Sequence, residues 1–302
     1  RMARGPRAPE AAVEALREEM HLNDSYIVQY GYWISGILQG DFGDSIVTRR
    51  PVAEDISSYL PATLELAIIT AMLVIVFGIV LGVVSTKYSG KWLDGIIRTL
   101  SYFGICAPAF LWAVLAMLLF AYVIPVLPIS GRLSAGFSPP DTITGMYTVD
   151  FLLQGNFAGF WDALKHLILP AVSLSFAGIS QAARITRSSM VENLDKPYAY
   201  AERAYGIPEN KILRKYLLKP SLNSTISVMA LDIAGIFGGA FLVEQIFGYP
   251  GLANYGLTAM LNKDVFAISA VVMILGVIVI IFNLIADLVI RALDPRVRLA
   301  EK

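Results

Sequence analysis

Long uncharged apolar runs dominate the pattern of this 302-residue chain. A bilayer core of about 30 Å requires about 20 apolar helical residues. Five runs fit: between Glu65 and Lys87, within Thr99 to Gly131, from Leu167 to Ala183, from about Leu222 to Phe247, and from Val265 to Ala286. Backbone groups have no water to bond in lipid, and the runs are too long for the alternating segments of an outer-membrane barrel. They predict an all-α integral membrane protein with five transmembrane helices.

The composition agrees with a membrane protein and excludes several other classes. Hydrophobic residues make up 56% of the chain and charged residues only 16%, whereas a soluble domain is about 25% charged. The 24 basic and 24 acidic residues balance, so the chain lacks the positive field of a nucleic-acid-binding protein. One cysteine and two histidines are too few for a zinc site or a disulfide framework. We predict no nucleic-acid partner and no metal site.

The distribution of Lys and Arg predicts the orientation, because cytoplasmic loops carry an excess of them. Residues 184–221 carry eight, and residues 85–99 and the C-terminal tail carry further ones. By contrast, residues 128–166 hold two and residues 248–264 hold one. The C-terminus is therefore expected in the cytoplasm. Five helices then place the N-terminal segment outside, and we expect a sixth helix before Arg1.

These boundaries predict three parts of the chain. Residues 1–60 form an external segment, residues 61–294 form a transmembrane domain with a cytoplasmic loop at 184–221, and residues 295–302 form a cytoplasmic tail. Within the external segment, "PEAAVEALREEM" has the start signal and composition of a short surface helix. The following "QYGYWISGILQGDFGDS" is rich in aromatic residues and glycine. We expect it to form a packed lid or an amphipathic turn.

The cytoplasmic stretch "YAYAERAYGIPENKILRKYLLKP" (198–220) has the punctuation of two helices joined by a sharp turn. Pro197 suits the first turn of one helix, Gly206 its left-handed end, and Pro208 the first turn of the next. Ala201 and Ala204 offer a surface that enters a groove closely. Charge alone is typical of an ordinary cytoplasmic loop, but two capped helices favour a docking element. The second helix carries Lys and Arg for an acidic partner or anionic headgroups.

This stretch resembles the EAA loop of binding-protein-dependent ABC importer permeases. Ala201, Gly206 and the following "YLLKPSL" match the loop, whereas Tyr200 stands in place of its Glu and Glu202 in place of its second Ala. Such departures are usual in the dipeptide, oligopeptide and nickel branch. Four further stretches are similar to that branch: "LQGDFGDSIVTRRPVAEDISSYLPATLELA" (38–67), "TGMYTVDFLLQGNFAGFWDALKHLILPA" (144–171), "FLVEQIFGYPGL" (241–252) and "NLIADLVIRALDPRVR" (283–298).

The resemblance implies the type I ABC importer permease fold in the cytoplasmic membrane of a prokaryote. It also implies a heterodimer with a second homologous permease, two ATP-binding subunits and an extracytoplasmic substrate-binding protein. The residues implied to contact the ATP-binding subunit are Tyr198, Tyr200, Ala201, Glu202, Arg203, Ala204, Tyr205, Gly206 and Pro208. The family's initial helix ends near a Pro-Gly-Asp-Pro sequence, which agrees with the expected sixth helix.

The chain itself lacks the motif for hydrolysing ATP. Its "SGKW" at 89–92 has neither the second glycine nor the Ser or Thr of a phosphate-binding loop. We therefore expect this chain to bind no cofactor, and partner subunits to bind ATP and Mg. The sequence shows no nucleophile and base at a recognisable spacing, so we predict no catalytic site in this chain.

Three residues within the apolar runs are candidates for the pathway or a gate. Asp232 lies about halfway along its predicted helix, where a carboxylate is costly unless it faces protein or water. It is expected to form either a pathway contact or an interhelical contact. Glu244 lies near a helix end, where snorkelling or pairing at an interface is the alternative to a pathway role. Pro108 is expected to kink a helix, as a hinge or as a packing irregularity.

The substrate class stays open at this point. The resembling family imports di- and oligopeptides, nickel chelates and, in some members, oligosaccharides. Few His and Cys residues argue against a metal pathway, and "TGMYTVDFLLQGNF" (144–157) looks like the peptide-type members, so peptides are expected first and oligosaccharides second. A secondary transporter is a remote alternative, because it would show inverted repeats and several buried titratable groups.

Overall fold

The computed structural model describes Ala11, Glu14 and residues 23–293. Within these residues the chain is almost entirely helical. The predicted helix at 9–20, apart from Ala11 and Glu14, and the predicted tail at 295–302 lie outside the described residues. The helices are α1 (Tyr26–Leu38), α2 (Val52–Lys87), α3 (Trp92–Cys106), α4 (Ala109–Val123), α5 (Tyr147–Leu153), α6 (Phe157–Leu194), α7 (Pro197–Ala204), α8 (Glu209–Ile246), α9 (Leu252–Leu261) and α10 (Val265–Leu293).

Four of these helices are long and apolar enough to cross a membrane: α2, α6, α8 and α10. They confirm four of the five predicted transmembrane helices. The fifth, expected within 99–131, is a bent pair in which α3 and α4 meet at 108°. The described chain therefore has four membrane-spanning helices, or five if the bent pair counts as one.

Pro108 causes this break and is not inside a helix, as the sequence pattern had suggested. It is the N-cap of α4, with φ −67° and ψ 153°. The preceding Ala107 is extended, with φ −99° and ψ 131°, because the proline ring disfavours helical geometry in the residue before it. α3 therefore stops at Cys106, and α4 starts afresh in another direction.

The chain consists of two compact units. The first combines the described residues up to Ser58 with Gly256–Met273, and the second combines Tyr59–Tyr255 with the described residues from Ile274. In the first unit, the Asp264 carboxylate accepts hydrogen bonds from Ser45 Oγ (2.6 Å) and the Ile46 amide (2.7 Å). It also accepts from the Ala267 amide (3.2 Å) in the first turn of α10. This carboxylate fixes the segment after α1 to the start of α10.

α1 differs from the packed lid that the sequence predicted. It is a regular helix without a buried residue, and Tyr26, Ile27 and Leu38 are each more than 80% exposed. α1 begins at Tyr26, before the expected lid, and Trp33, Ile34 and Ile37 are partly buried. Part of the segment expected to form a packed lid or an amphipathic turn is therefore a regular helix without a fully buried residue.

In the second unit, α6 is the central helix. In the most apolar 18-residue stretch of α6, 61% is buried. In the corresponding stretches of α2, α8 and α10 the buried share is 22–33%. Small residues let α2 approach it: a Cβ on Gly78 would lie 2.5 Å from Ala182 Cβ, and one on Gly82 2.5 Å from Thr186 Cβ. Close approach at glycines is how helices pack when lipid surrounds them.

Candidate coupling surface and pathway residues

α7 begins and ends where its sequence predicts. Pro197 occupies the first helical turn, where its missing N–H costs nothing. At the other end Gly206 has φ +73°. The Gly206 amide donates to the Arg203 carbonyl (2.9 Å) and the Ile207 amide to the Glu202 carbonyl (3.1 Å). This pair of bonds is the Schellman termination that a left-handed glycine allows.

The second predicted helix is not a separate element. It is the start of α8, which begins after Pro208 and continues through a π-helical turn at Ile212–Leu217 into the membrane span. Pro208 is the residue before this helix rather than part of its first turn. Only Tyr205, Gly206, Ile207 and Pro208 separate α7 from this transmembrane helix.

One side of α7 is exposed and mostly uncharged. Pro197, Tyr200, Ala201 and Ala204 lie at spacings of three and four, which places them on one face of the helix. All four are exposed, as are Tyr205 and Gly206, and Tyr205 is 84% exposed. We call these six residues the coupling face.

The opposite side of α7 is anchored to the ends of two membrane helices. Ala199 is fully buried in a cluster with Met190 of α6 and with Ile212, Leu213 and Leu217 of the π turn. The large side chains of Met190, Ile212 and Leu217 have no exposed surface. Apolar packing of this kind is non-directional, and it ties α7 to both α6 and α8.

Two polar contacts hold the predicted loop residues in place. Tyr198 Oη donates to Asn193 Oδ1 (2.7 Å), and Asn193 Nδ2 donates to Ser221 Oγ (2.9 Å). Across the turn, Arg203 pairs with Glu209 through Nη2–Oε1 (2.9 Å) and Nε–Oε2 (3.2 Å). The carboxylate of Glu209 raises the pKa of Arg203. Tyr198 and Arg203, which the sequence predicted as loop residues, therefore hold the loop in place through contacts within the chain.

A buried carboxylate that sequence reasoning missed joins α2, α3 and α6. Asp94 accepts hydrogen bonds from Arg187 Nε (2.6 Å) and Nη2 (2.8 Å). It also accepts from Ser85 Oγ (2.6 Å) and the Gly90 amide (3.0 Å). The available signal was a lone acidic residue among the basic ones of 85–99, where only Lys and Arg had been counted.

The two candidate intramembrane carboxylates differ sharply. Asp232 is partly exposed, and its Oδ2 is buried without a hydrogen-bond partner among the described residues. Glu244 is fully buried and accepts from Thr63 Oγ1 (2.6 Å) and the Asn254 amide (2.8 Å). Glu244 has no exposed surface and so does not snorkel. Its oxygens instead pair with α2 and with the start of α9.

The three glycines near Asp232 differ in how closely other residues approach them. Only Gly239 has close neighbours, with Leu174 Cδ2 at 3.2 Å from its Cβ position. Gly235 and Gly238 have nothing within 4 Å of theirs. The face of α8 that carries them is open in this chain.

A second buried cluster ties the loops at the other end of the second unit. Glu65 accepts from Arg132 Nη2 (2.7 Å), the Thr148 amide (2.6 Å) and Tyr249 Oη (3.1 Å). The Arg132 guanidinium lies 3.5 Å from the ring centroid of Tyr147. Burial, and next the charge of Glu65, raise the pKa of Tyr249. Sequence reasoning treated Arg132 only as a loop charge and missed this cluster.

Residues 75–299 match the family model described as the inner membrane component of binding-protein-dependent transport systems. The chain belongs to this family. The permease is 36% identical over 98% of its length, and 87% of the relative's, to a probable D,D-dipeptide permease, DdpB, of Escherichia coli K12. It is 34% identical to the dipeptide permease DppB of Alkalihalophilus pseudofirmus over 97% and 88% of the two chains. The glutathione permease GsiC of Salmonella typhimurium is 30% identical over 99% and 88%.

The solved structures agree on the fold. The MetNI methionine ABC transporter, in inward-facing conformations, matches with a TM-score of 0.57 at 16% identity. The match covers 77% of the permease and 93% of that chain. The predicted fold of an ABC importer permease is confirmed, and the permease is a multi-pass membrane protein.

The permease brings most of its predicted loop residues to one place. Tyr200, Ala201, Ala204, Tyr205 and Gly206 lie together on the coupling face, while Tyr198 and Arg203 support it. The three pathway candidates do not form a cluster: Pro108 lies at the α3–α4 break, and Asp232 and Glu244 lie twelve residues apart on α8.

Proposed function

We propose that this permease forms half of the pathway by which di- or oligopeptides cross the cytoplasmic membrane, driven by ATP hydrolysis in partner subunits. The observation that carries the proposal is the coupling face, which is exposed on one side of α7 while the other side is packed against two membrane helices. The peptide cargo is supported by relatives named for dipeptides, D,D-dipeptides and glutathione.

The partners are a second homologous permease, two ATP-binding subunits and an extracytoplasmic binding protein. ATP and Mg are bound by the ATP-binding subunits, because the stretch 89–92 lacks the residues of a phosphate loop. The C-terminus and the coupling face lie in the cytoplasm, as the Lys and Arg distribution favours. Copurification of the intact complex, with its subunits counted by native mass spectrometry, tests this composition.

The coupling face docks into a groove of an ATP-binding subunit. Ala201 and Ala204 permit close approach, while Tyr200 and Tyr205 supply large contact area at small entropic cost. Movement of the ATP-binding subunit then reaches α6 and α8 through the buried cluster beneath Ala199. Packed helices that move as one body transmit a displacement in this way.

Asp232 provides a polar side chain to the translocation pathway, on the part of α8 that also carries Gly235 and Gly238. Its unpartnered Oδ2 and the open glycines beside it support a contact made only in the assembled transporter, since a buried unsatisfied carboxylate is costly. Glu244 acts instead as a positioning residue for the 249–254 turn. Pro108 is the candidate hinge, because it is the point where α3 and α4 change direction.

Ala201→Trp in the reconstituted transporter tests the docking. We expect at least about a tenfold loss of ATP-driven peptide uptake, since that corresponds to about 1.4 kcal/mol of docking energy. Gly206→Trp has open space around its Cβ position, and we expect the same loss of coupling. Glu192→Trp is the control, because Glu192 is 75% exposed on α6 outside the coupling face. Uptake at the normal rate by a correctly assembled Ala201→Trp transporter would refute the docking.

The cargo is tested separately by the binding protein that copurifies with the complex. Mass spectrometry of its retained ligand is expected to show a peptide. An oligosaccharide or a nickel chelate would overturn the peptide cargo and leave the permease assignment intact.

A further inference from the structure

Two adjacent cavities lie between α2, α3 and α6 in the second unit. The smaller one, of about 240 Å³, is polar and basic. The larger one, of about 560 Å³, is almost entirely apolar. Ile97 and Ser101 line both cavities, so the two cavities are direct neighbours.

The smaller cavity carries an excess of positive charge. Arg98, Arg184 and Arg187 line it. Arg187 is neutralised by Asp94 (2.6 Å), whereas Arg98 and Arg184 are exposed and form no ion pair among the described residues. Within the part of the chain that the structure describes, Arg184 donates only to the neutral Gln181 Oε1 (2.8 Å). Two uncompensated guanidinium groups in one cavity favour an anion, and planar guanidinium groups suit phosphate in particular.

The larger cavity is shaped for a hydrocarbon chain. Its walls include Leu73, Phe77 and Leu81 of α2 and Leu100 and Phe103 of α3. Its volume falls in the range of small-molecule sites, about 300–1,000 Å³. Trp112 and Phe176 also line it and stack on each other with ring centroids 4.5 Å apart. Phe77, Leu100 and Phe103 are 48–64% exposed, so the cavity opens at the surface of the chain.

We propose that the two cavities together bind one anionic phospholipid, with its phosphate at Arg98 and Arg184 and an acyl chain in the apolar cavity. The proposed orientation places the arginines at the cytoplasmic leaflet, and basic pockets between membrane helices on that side are known sites for anionic headgroups. A free phosphate would use the polar cavity alone. The adjoining apolar cavity is what favours a lipid.

The bound lipid fills the space between α3 and α6 next to the Asp94–Arg187 pair. Arg187 lines the polar cavity and pairs with Asp94 at the same time. The headgroup therefore sits beside the contact that joins α2, α3 and α6. This site goes beyond the proposed transport function and does not depend on the cargo.

Native mass spectrometry of the complete, delipidated transporter tests the site. The probes are phosphatidylglycerol and phosphatidylcholine added in neutral detergent. We expect Arg98→Gln/Arg184→Gln to weaken phosphatidylglycerol binding by about thirtyfold, from about 1 kcal/mol for each basic residue. The matched control is Lys87→Gln/Lys91→Gln, which removes two exposed charges from the same predicted face outside both cavities. The control is expected to bind as the unmodified transporter does.

Three results would overturn the proposal. Equal binding of phosphatidylcholine would remove the role of the headgroup charge. Displacement of phosphatidylglycerol by inorganic phosphate at similar concentration would show a phosphate site without a lipid tail. Absence of any bound phospholipid in the complete transporter would show that another subunit covers the cavities. If the double variant fails to assemble, Arg184→Gln alone carries the test, with a weakening of about fivefold expected.

Discussion

The two ends of the second unit are held together by different kinds of interaction. Around α7 the chain is joined by an apolar cluster beneath Ala199 and by a few peripheral hydrogen bonds. Around the 128–156 and 249–254 loops it is joined by the buried carboxylates of Glu65 and Glu244. Apolar contacts have no preferred direction, whereas hydrogen bonds lose strength steeply with distance and angle. The difference concerns α7 itself, because the Asp94–Arg187 pair fixes the neighbouring junction of α2, α3 and α6 at the same end.

Asp150 shows how far the second kind of interaction extends. It is fully buried and accepts hydrogen bonds from the Thr144 amide (2.8 Å), Thr144 Oγ1 (2.7 Å) and the Gly145 amide (2.9 Å). Burial acts to raise the pKa of Asp150, but these bonds outweigh it and the pKa lies below its ordinary value. The loop is thus folded around an ionised carboxylate.

Removing one arginine at each end should give the largest difference in the loss of stability. Arg132→Ala leaves Glu65 buried without its cation, and we expect a loss of roughly 3–5 kcal/mol in stability. Arg203→Ala breaks a partly exposed pair with Glu209, and a loss of about 1 kcal/mol or less is expected. Thermal unfolding of the two variants in the same detergent measures the contrast. Similar melting temperatures for both would contradict the distinction between the two ends.

Met190→Ala should loosen α7 selectively. Met190 is fully buried in the cluster beneath α7, and its truncation is expected to cost about 3 kcal/mol. Hydrogen exchange should then quicken in α7 and at the start of α8 while exchange at 143–150 stays unchanged. Equal loosening of both ends would show that the unit responds as a whole and that the apolar cluster has no local role.

A glycine at each end gives a smaller, matched contrast. A Cβ on Gly251 would collide with the carboxylate of Glu244, whereas one on Gly206 meets nothing within 4 Å. Gly251→Ala is expected to cost about 1–3 kcal/mol through overpacking. Gly206→Ala should cost about 1–2 kcal/mol through its positive φ alone. Combining each change with Glu244→Ala decides between the two causes. Glu244→Ala should reduce the loss of stability caused by Gly251→Ala and leave the loss caused by Gly206→Ala unchanged.

The features predictable from the sequence are those that local chemistry determines. Pro197 and Gly206 set the limits of α7 through their own backbone preferences, and long apolar runs predicted α2, α6, α8 and α10. The Glu65–Arg132 pair joins residues 67 positions apart, and no local pattern reports such a contact. Pro108 is an intermediate case. Its effect on the backbone was expected, but the 108° change of direction depends on what α3 and α4 pack against.

The smallest expected effect concerns Tyr198, whose hydroxyl donates to Asn193 at the end of α6. Tyr198→Phe removes the hydrogen bond to Asn193 Oδ1 and keeps the ring, so a loss of about 0.5–1.5 kcal/mol is expected. Because Asn193 also bonds Ser221 Oγ, the change should loosen the attachment of α7 to α6 and α8 without altering the coupling face. Peptide uptake should therefore fall less than in Ala201→Trp, while the melting temperature drops slightly. A fall in uptake as large as that of Ala201→Trp, with the melting temperature unchanged, would mean that Tyr198 itself contacts the ATP-binding subunit.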